Sequence, residues 1–171
     1  MFLLLLPLLI SSLLPVDEQR DCPQLDKDYI LGNYASCSSN QDVTNSIRCK
    51  YIKAMCDIAE SSYDKSRYEL SLISADVASG KFDEFNGLAL TSLAEIAFLQ
   101  GDYKRGKTLS VAVNEVLIKK IPMSYPYVIS EVLLAKSYFD SKNVTEANKK
   151  IESIRASKID ALIFSSLDPW Q

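Results

Sequence analysis

Through the middle of the chain, apolar residues recur at helical spacing in runs of about fifteen, each closed by a short polar break. The stretch "AFLQGDYKRGKTLSVAV" (97–113) shows the rhythm. An apolar run ends at Leu99, Gly101-Asp102 interrupts it, and a second run opens near Tyr103. Read this way, the pattern predicts helices near 43–60, 64–79, 84–99, 103–119, 125–140 and 144–157. Pro122 and Pro126 bracket the turn between the fourth and fifth, where proline ends or starts helices well. Thr145 is a loose cap for the sixth, with Asn143 as the competing cap. With only five Gly and six Pro in 171 residues, the pattern reads as all-α.

The breaks recur. Shifting the chain by 40 and then by 41 residues aligns three helical hairpins. Ala54, Ala94 and Ala135 share one column, and Ile58, Phe98 and Phe139 a second. Tyr63, Tyr103 and Val144 follow the breaks "ESSYDKS", "QGDYKRG" and "SKNVTEA". Ser66, Gly106 and Ala147 form a column of small residues, and Ile73, Val113 and Ile154 close the set. Two antiparallel helices approach closely only where a side chain is small, and flanking apolar residues then fill the interface. A single hairpin cannot bury its apolar face alone, so stacked neighbours are expected.

These residues resemble tetratricopeptide repeats over about residues 46–156. The second hairpin carries the likeness through Leu90, Leu93-Ala94, Ala97, Gly101-Asp102-Tyr103, Gly106, Ser110 and Val113. The third carries it through Leu134-Ala135, Tyr138, Ala147, Ile151 and Ile154, and the first through Ala54, Tyr63, Ser66, Leu70 and Ile73. The chain departs from the family in its longer period, in lacking the early Trp and closing Pro, and in placing Gly106 where the family favours Ala. Longer units of this kind resemble those of bacterial regulators and exported sensor arms. The resemblance implies three stacked antiparallel helical hairpins, a TPR-like α-solenoid, whose first helices line a concave groove. Carried over, that groove comprises Arg48, Tyr51 and Met55; Leu88, Thr91, Glu95 and Phe98; and Ile129, Val132, Lys136 and Phe139. Such a surface suits a protein or peptide partner. Tyr51 and Met55 stand where a clamp for a terminal carboxylate needs polar or cationic residues, so carboxylate capture there is not expected.

Composition narrows the chemistry. The chain has no histidine, which removes the commonest general base and the commonest zinc ligand. No carboxylate pair stands out, and "GDYKRGK" lacks phosphate-loop spacing. The reading is therefore a non-enzymatic chain with no catalytic residues, no cofactor and no metal. Net charge is −3 with both signs interspersed, so nucleic acid is not an expected partner. "NVT" at 143–145 matches a glycosylation sequon, and its plain reading is a polar hairpin turn.

Residues 1–16, MFLLLLPLLISSLLPV, carry no charged side chain, and their apolar run Phe2–Ile10 matches the length of a signal-peptide apolar region, too short to span a membrane. Residues 17–45 form a cysteine-containing N-terminal cap, and 46–171 the helical-repeat domain with a C-terminal capping segment. Cys22, Cys37, Cys49 and Cys56 allow three pairings. Cys49 and Cys56 lie about 10 Å apart along one helix, facing the same way, so they cannot bond each other. Each should bond the preceding segment. If that segment folds back antiparallel, Cys37 meets Cys49 and Cys22 meets Cys56. At the other end Ile159, Leu162, Ile163, Phe164 and Leu167 make either a capping helix or the start of a further unit, with Phe164 and Trp170 awaiting a partner. Disulfides and leader together point to a periplasmic or secreted interaction module with no membrane span in the mature chain. The alternative is a small secreted disulfide-braced helical-bundle ligand carrier or inhibitor.

Overall fold

A computed structural model describes residues 22–40, 46–75, 84–121 and 124–156. The expected leader (1–16), Pro122 and the C-terminal segment with Phe164 and Trp170 lie outside the described residues. All regular structure among the described residues is helical: α1 (Pro23–Ile30), α2 (Tyr34–Ser39), α3 (Ile47–Ala59), α4 (Tyr63–Ala75), α5 (Glu84–Leu99), α6 (Tyr103–Lys120), α7 (Tyr125–Asp140) and α8 (Val144–Ala156). The last six match the predicted helices, with α3 starting later. The chain divides into two compact units, one running to Ser66 and one beginning at Arg67.

The helices are joined in pairs by one recurrent corner. Each first helix ends on a residue in the left-handed region: Gly32 (φ 74°), Ser61 (φ 59°), Gly101 (φ 79°) and Lys142 (φ 60°). The next residue's N–H reaches back to a carbonyl five positions earlier. These bonds are Asn33 to Asp28 (2.8 Å), Ser62 to Asp57 (2.7 Å), Asp102 to Ala97 (2.9 Å) and Asn143 to Tyr138 (2.8 Å). This is a Schellman closure. The same residue then begins the second helix, its carbonyl accepting from the N–H of Cys37, Ser66, Gly106 or Ala147. Asp102 and Asn143 also cap with their side chains, accepting from the backbone N–H of Arg105 (3.0 Å) and Glu146 (3.3 Å). Asn143 is thus the cap of α8. The fourth occurrence, at "LGN" (31–33), extends the hairpin pattern into the segment read as a cap.

The small-residue column sits one turn into each second helix and is buried throughout: Cys37 and Ser66 at 0%, Ala147 at 1%, with Gly106 also buried. At Gly106 the need for a small residue is direct. A Cβ there would lie 2.9 Å from three atoms of the Phe98 ring, so α5 and α6 meet ring against backbone. Gly87 plays the same part between α5 and α7, where a Cβ would lie 2.9 Å from Pro126 Cβ. One unit after Gly106 the column holds Ala147, and the corresponding ring, Phe139, is 66% exposed.

In the unit ending at Ser66, α1 and α2 pack on each other and on α3. Cys49 and Cys56 are both fully buried on α3 and both bond the preceding segment, as their spacing requires. The pairing is Cys22–Cys49 and Cys37–Cys56, each with Cα atoms 5.9 Å apart. This corrects the pairing expected from an antiparallel return. The segment is itself a helical hairpin and advances along α3 in the same sense as α3. Asp26 of α1 meets Arg48 near the start of α3 at 2.5 Å. The Asn40 carbonyl accepts from Lys53 Nζ, and Ser38 Oγ donates to Asp57 further along. In the second unit, α5 packs on α6 and α7, and α7 on α6 and α8.

Candidate interaction surface

The residues expected to line a groove separate sharply by burial. In the first unit Tyr51 (2% exposed) and Met55 are core residues, and Arg48 is engaged by Asp26. In the second unit Leu88, Thr91, Glu95, Phe98 and Ile129 are buried, Lys136 is half-buried, and Val132 (48%) and Phe139 (66%) are exposed. The physical reason lies in α5. Eleven of its sixteen residues are buried, so it is an interior helix with no free stripe. The position that faces a groove in a thinner stack is packed here.

Val132, Lys136 and Phe139 fall at i, i+4 and i+7 on α7, on one face. Lys136 Nζ lies 5.3 Å from the Phe98 ring centroid and 5.5 Å from that of Tyr103, and 2.6 Å from Asp140 Oδ2. Phe98 and Tyr103 are themselves 6.4 Å apart, centroid to centroid. Tyr103 is 54% exposed. The α7 face and the first residue of α6 therefore form one surface, in which exposed Tyr103 lies beside a held ammonium and exposed Phe139 shares the helix face of Lys136. Tyr103 was legible in sequence as a repeat column, but its exposure was not.

A buried polar cluster joins α6, α7 and α8. Glu131 Oε1 accepts from Asn114 Nδ2 (2.6 Å) and Lys150 Nζ (3.0 Å), and Asn114 Nδ2 also donates to Ser130 Oγ (2.9 Å). Glu131 is 2% exposed and its Oε2 has no hydrogen-bond partner among the described residues. Burial raises the Tyr127 hydroxyl above its ordinary value, Glu131 adding to the rise and Lys150 opposing it. The cluster pairs charges where unpaired ones are costly, and so sets how the three helices register. Its sequence signal is the lone charge of Glu131 inside the apolar run "YVISEVLLA".

Glu95 is the second unusual carboxyl. It is 7% exposed and accepts no hydrogen bond from the described residues. Burial pushes its carboxyl up to about 7. Tyr125 is pushed up to about 12 by burial, with Glu95 and Glu84 adding repulsion. Among the described residues no group of three or more His, Cys, Asp or Glu is placed to hold a metal ion. No helix among them is long and apolar enough to cross a membrane. Comparison with protein-family models, curated proteins and solved structures finds no match.

Proposed function

We propose that the chain is a non-catalytic, extracytoplasmic interaction module in which tetratricopeptide-like hairpins stack and present the α7 face to a protein or peptide partner. The observation that carries this reading is the exposed strip of Val132 and Phe139 with Tyr103, around the pinned Lys136. Rigid aromatic side chains bury area at low entropic cost, and a fixed cation sets register. The repeated corner and the packing order α5–α6–α7–α8 support the stacked arrangement. Two disulfides support an oxidising compartment.

The test is a peptide-display selection against the oxidised protein, followed by binding to a Val132→Ser, Phe139→Ser variant. Both positions are exposed, so the variant is expected to fold. Selected peptides are expected to bind it at least about tenfold more weakly, in line with loss of a hot-spot aromatic. Peptides that bind both forms equally would place the partner surface elsewhere. Small-angle scattering checks the stacking separately, since a row of hairpins gives an elongated particle and a closed bundle a compact one.

A further inference from the structure

The corner between α7 and α8 carries a chemistry that the interaction reading does not use. Asn143-Val144-Thr145 is the one Asn-x-Ser/Thr triplet in the chain, and that pattern is the acceptor sequence for N-linked sugar. The structure puts it at a polar turn, as its plain reading expects, and leaves it open. All three residues are exposed, Val144 at 50%, and so are residues 139–142 before them. A bulky sugar chain needs such room, because it must stand in solvent. The same corner recurs at Asn33, Ser62 and Asp102. Two residues beyond these stand Ala35, Asp64 and Lys104, so only the Asn143 corner joins an amide to a following hydroxyl.

The side-chain amide divides its work between its two ends. Oδ1 accepts from the backbone N–H of Glu146 at 3.3 Å, and accepting from an N–H fixes that end as the oxygen. Nδ2 donates to none of the described residues. A sugar on Nδ2 leaves Oδ1 in place, so the cap of α8 survives the modification. We propose that Asn143 is a site of N-glycosylation, modified as the chain enters a secretory compartment. Nδ2 attacks the anomeric carbon of an oligosaccharide carried on a lipid diphosphate. A carbon–nitrogen bond forms and the carbon–oxygen bond to the diphosphate breaks. The lipid diphosphate leaves with the bonding pair, and Nδ2 gives up one proton. The proposal rests on the export part of the reading above and not on the α7 strip.

The experiment expresses the full chain from Met1 in a eukaryotic secretory host, beside Asn143→Asp, Thr145→Ala and Thr145→Ser. Aspartate caps a helix about as well as asparagine but offers no amide nitrogen. Thr145→Ala spares the cap and removes only the hydroxyl, and Thr145→Ser restores the acceptor pattern. All four chains are expected to fold, since both positions are exposed. Each is treated with peptide N-glycosidase in heavy-oxygen water and mapped by mass spectrometry, with the disulfides read in the same digest. The unaltered chain and Thr145→Ser are expected in the medium with a sugar chain on Asn143, and Asn143→Asp and Thr145→Ala in the medium without one. A secreted chain with both disulfides formed and Asn143 unmodified overturns the proposal alone. A chain held in the cytosol with free thiols and no sugar overturns it together with the export reading. Sugar that persists in Asn143→Asp or in Thr145→Ala also overturns it.

Discussion

Replacing Glu95 by Gln should make the protein more stable at alkaline pH and almost no different at acid pH. Glu95 sits on interior helix α5, 7% exposed, with Tyr125 as the titratable neighbour that senses it. Its carboxyl lies at about 7 in the folded chain, against 4.5 when unperturbed. The folded state therefore holds the proton more tightly than the unfolded state. A raised folded value means the stability is full below about pH 4.5, declines as pH rises, and is lost above about 7. A rise of about 2.5 units corresponds to about 3 kcal/mol at 1.36 kcal/mol per unit. For a chain of this length, that is a fall in Tm of about 6–12 °C between pH 4.5 and 8.5 from this one residue. Glu95→Gln keeps the shape without the charge, so its Tm should drop less over the same range by about that amount. The assay is thermal unfolding by circular dichroism at both pH values, wild type against variant. Parallel Tm changes in the two proteins would refute the reasoning, because the proton linkage would then lie elsewhere.

Other outcomes follow from the corners and the cap. Lys142→Gly should raise stability by about 0.5–1 kcal/mol in urea unfolding, because a left-handed backbone strains an L side chain at φ 60°. Gly106→Ala should lower it by about 1–3 kcal/mol, since the added methyl meets the Phe98 ring at 2.9 Å. A tryptic digest of the non-reduced protein should link the peptide containing Cys22 to that of Cys49, and Cys37 to Cys56, and mass spectrometry reads the linkage directly. Replacing Cys37 and Cys56 together by Ser should cost about 3 kcal/mol, as expected for opening a loop of 19 residues.

Helix positions were legible because their signals are local. Apolar periodicity and the polar breaks such as Gly101-Asp102 each act within a few residues, and five of the six predicted helices start within a residue of their expected positions. The disulfide pairing was not legible, since it depends on how residues 22–40 travel along α3. That path turns on a second hairpin at Gly32, whose signal was a three-residue "LGN" followed four positions after Asn33 by Cys37. The groove residues misled for a related reason. Leu88, Thr91 and Glu95 occupy positions that a resemblance assigns to a surface, but helical spacing fixes only which residues share a face. Whether that face is open depends on what packs against it, and α5 is covered on nearly every side. The polar cluster around Glu131 draws on three helices, so only its lone charge in an apolar run was visible beforehand.

The corner that ends one helix and begins the next within three residues also determines where this chain can change length. Inserting a residue into either helix near the corner would rotate everything beyond it by about 100° and swing Phe98 or its counterparts off the small residue opposite. The numbering already bears the mark of that restriction. Ala54 to Ile73, Ala94 to Val113 and Ala135 to Ile154 each span the same nineteen positions, whereas Ile73 lies twenty-one residues from Ala94 and Val113 twenty-two from Ala135. The extra residue falls between hairpins. Lineages of this chain should accordingly gain and lose residues in the connectors and leave the corners untouched.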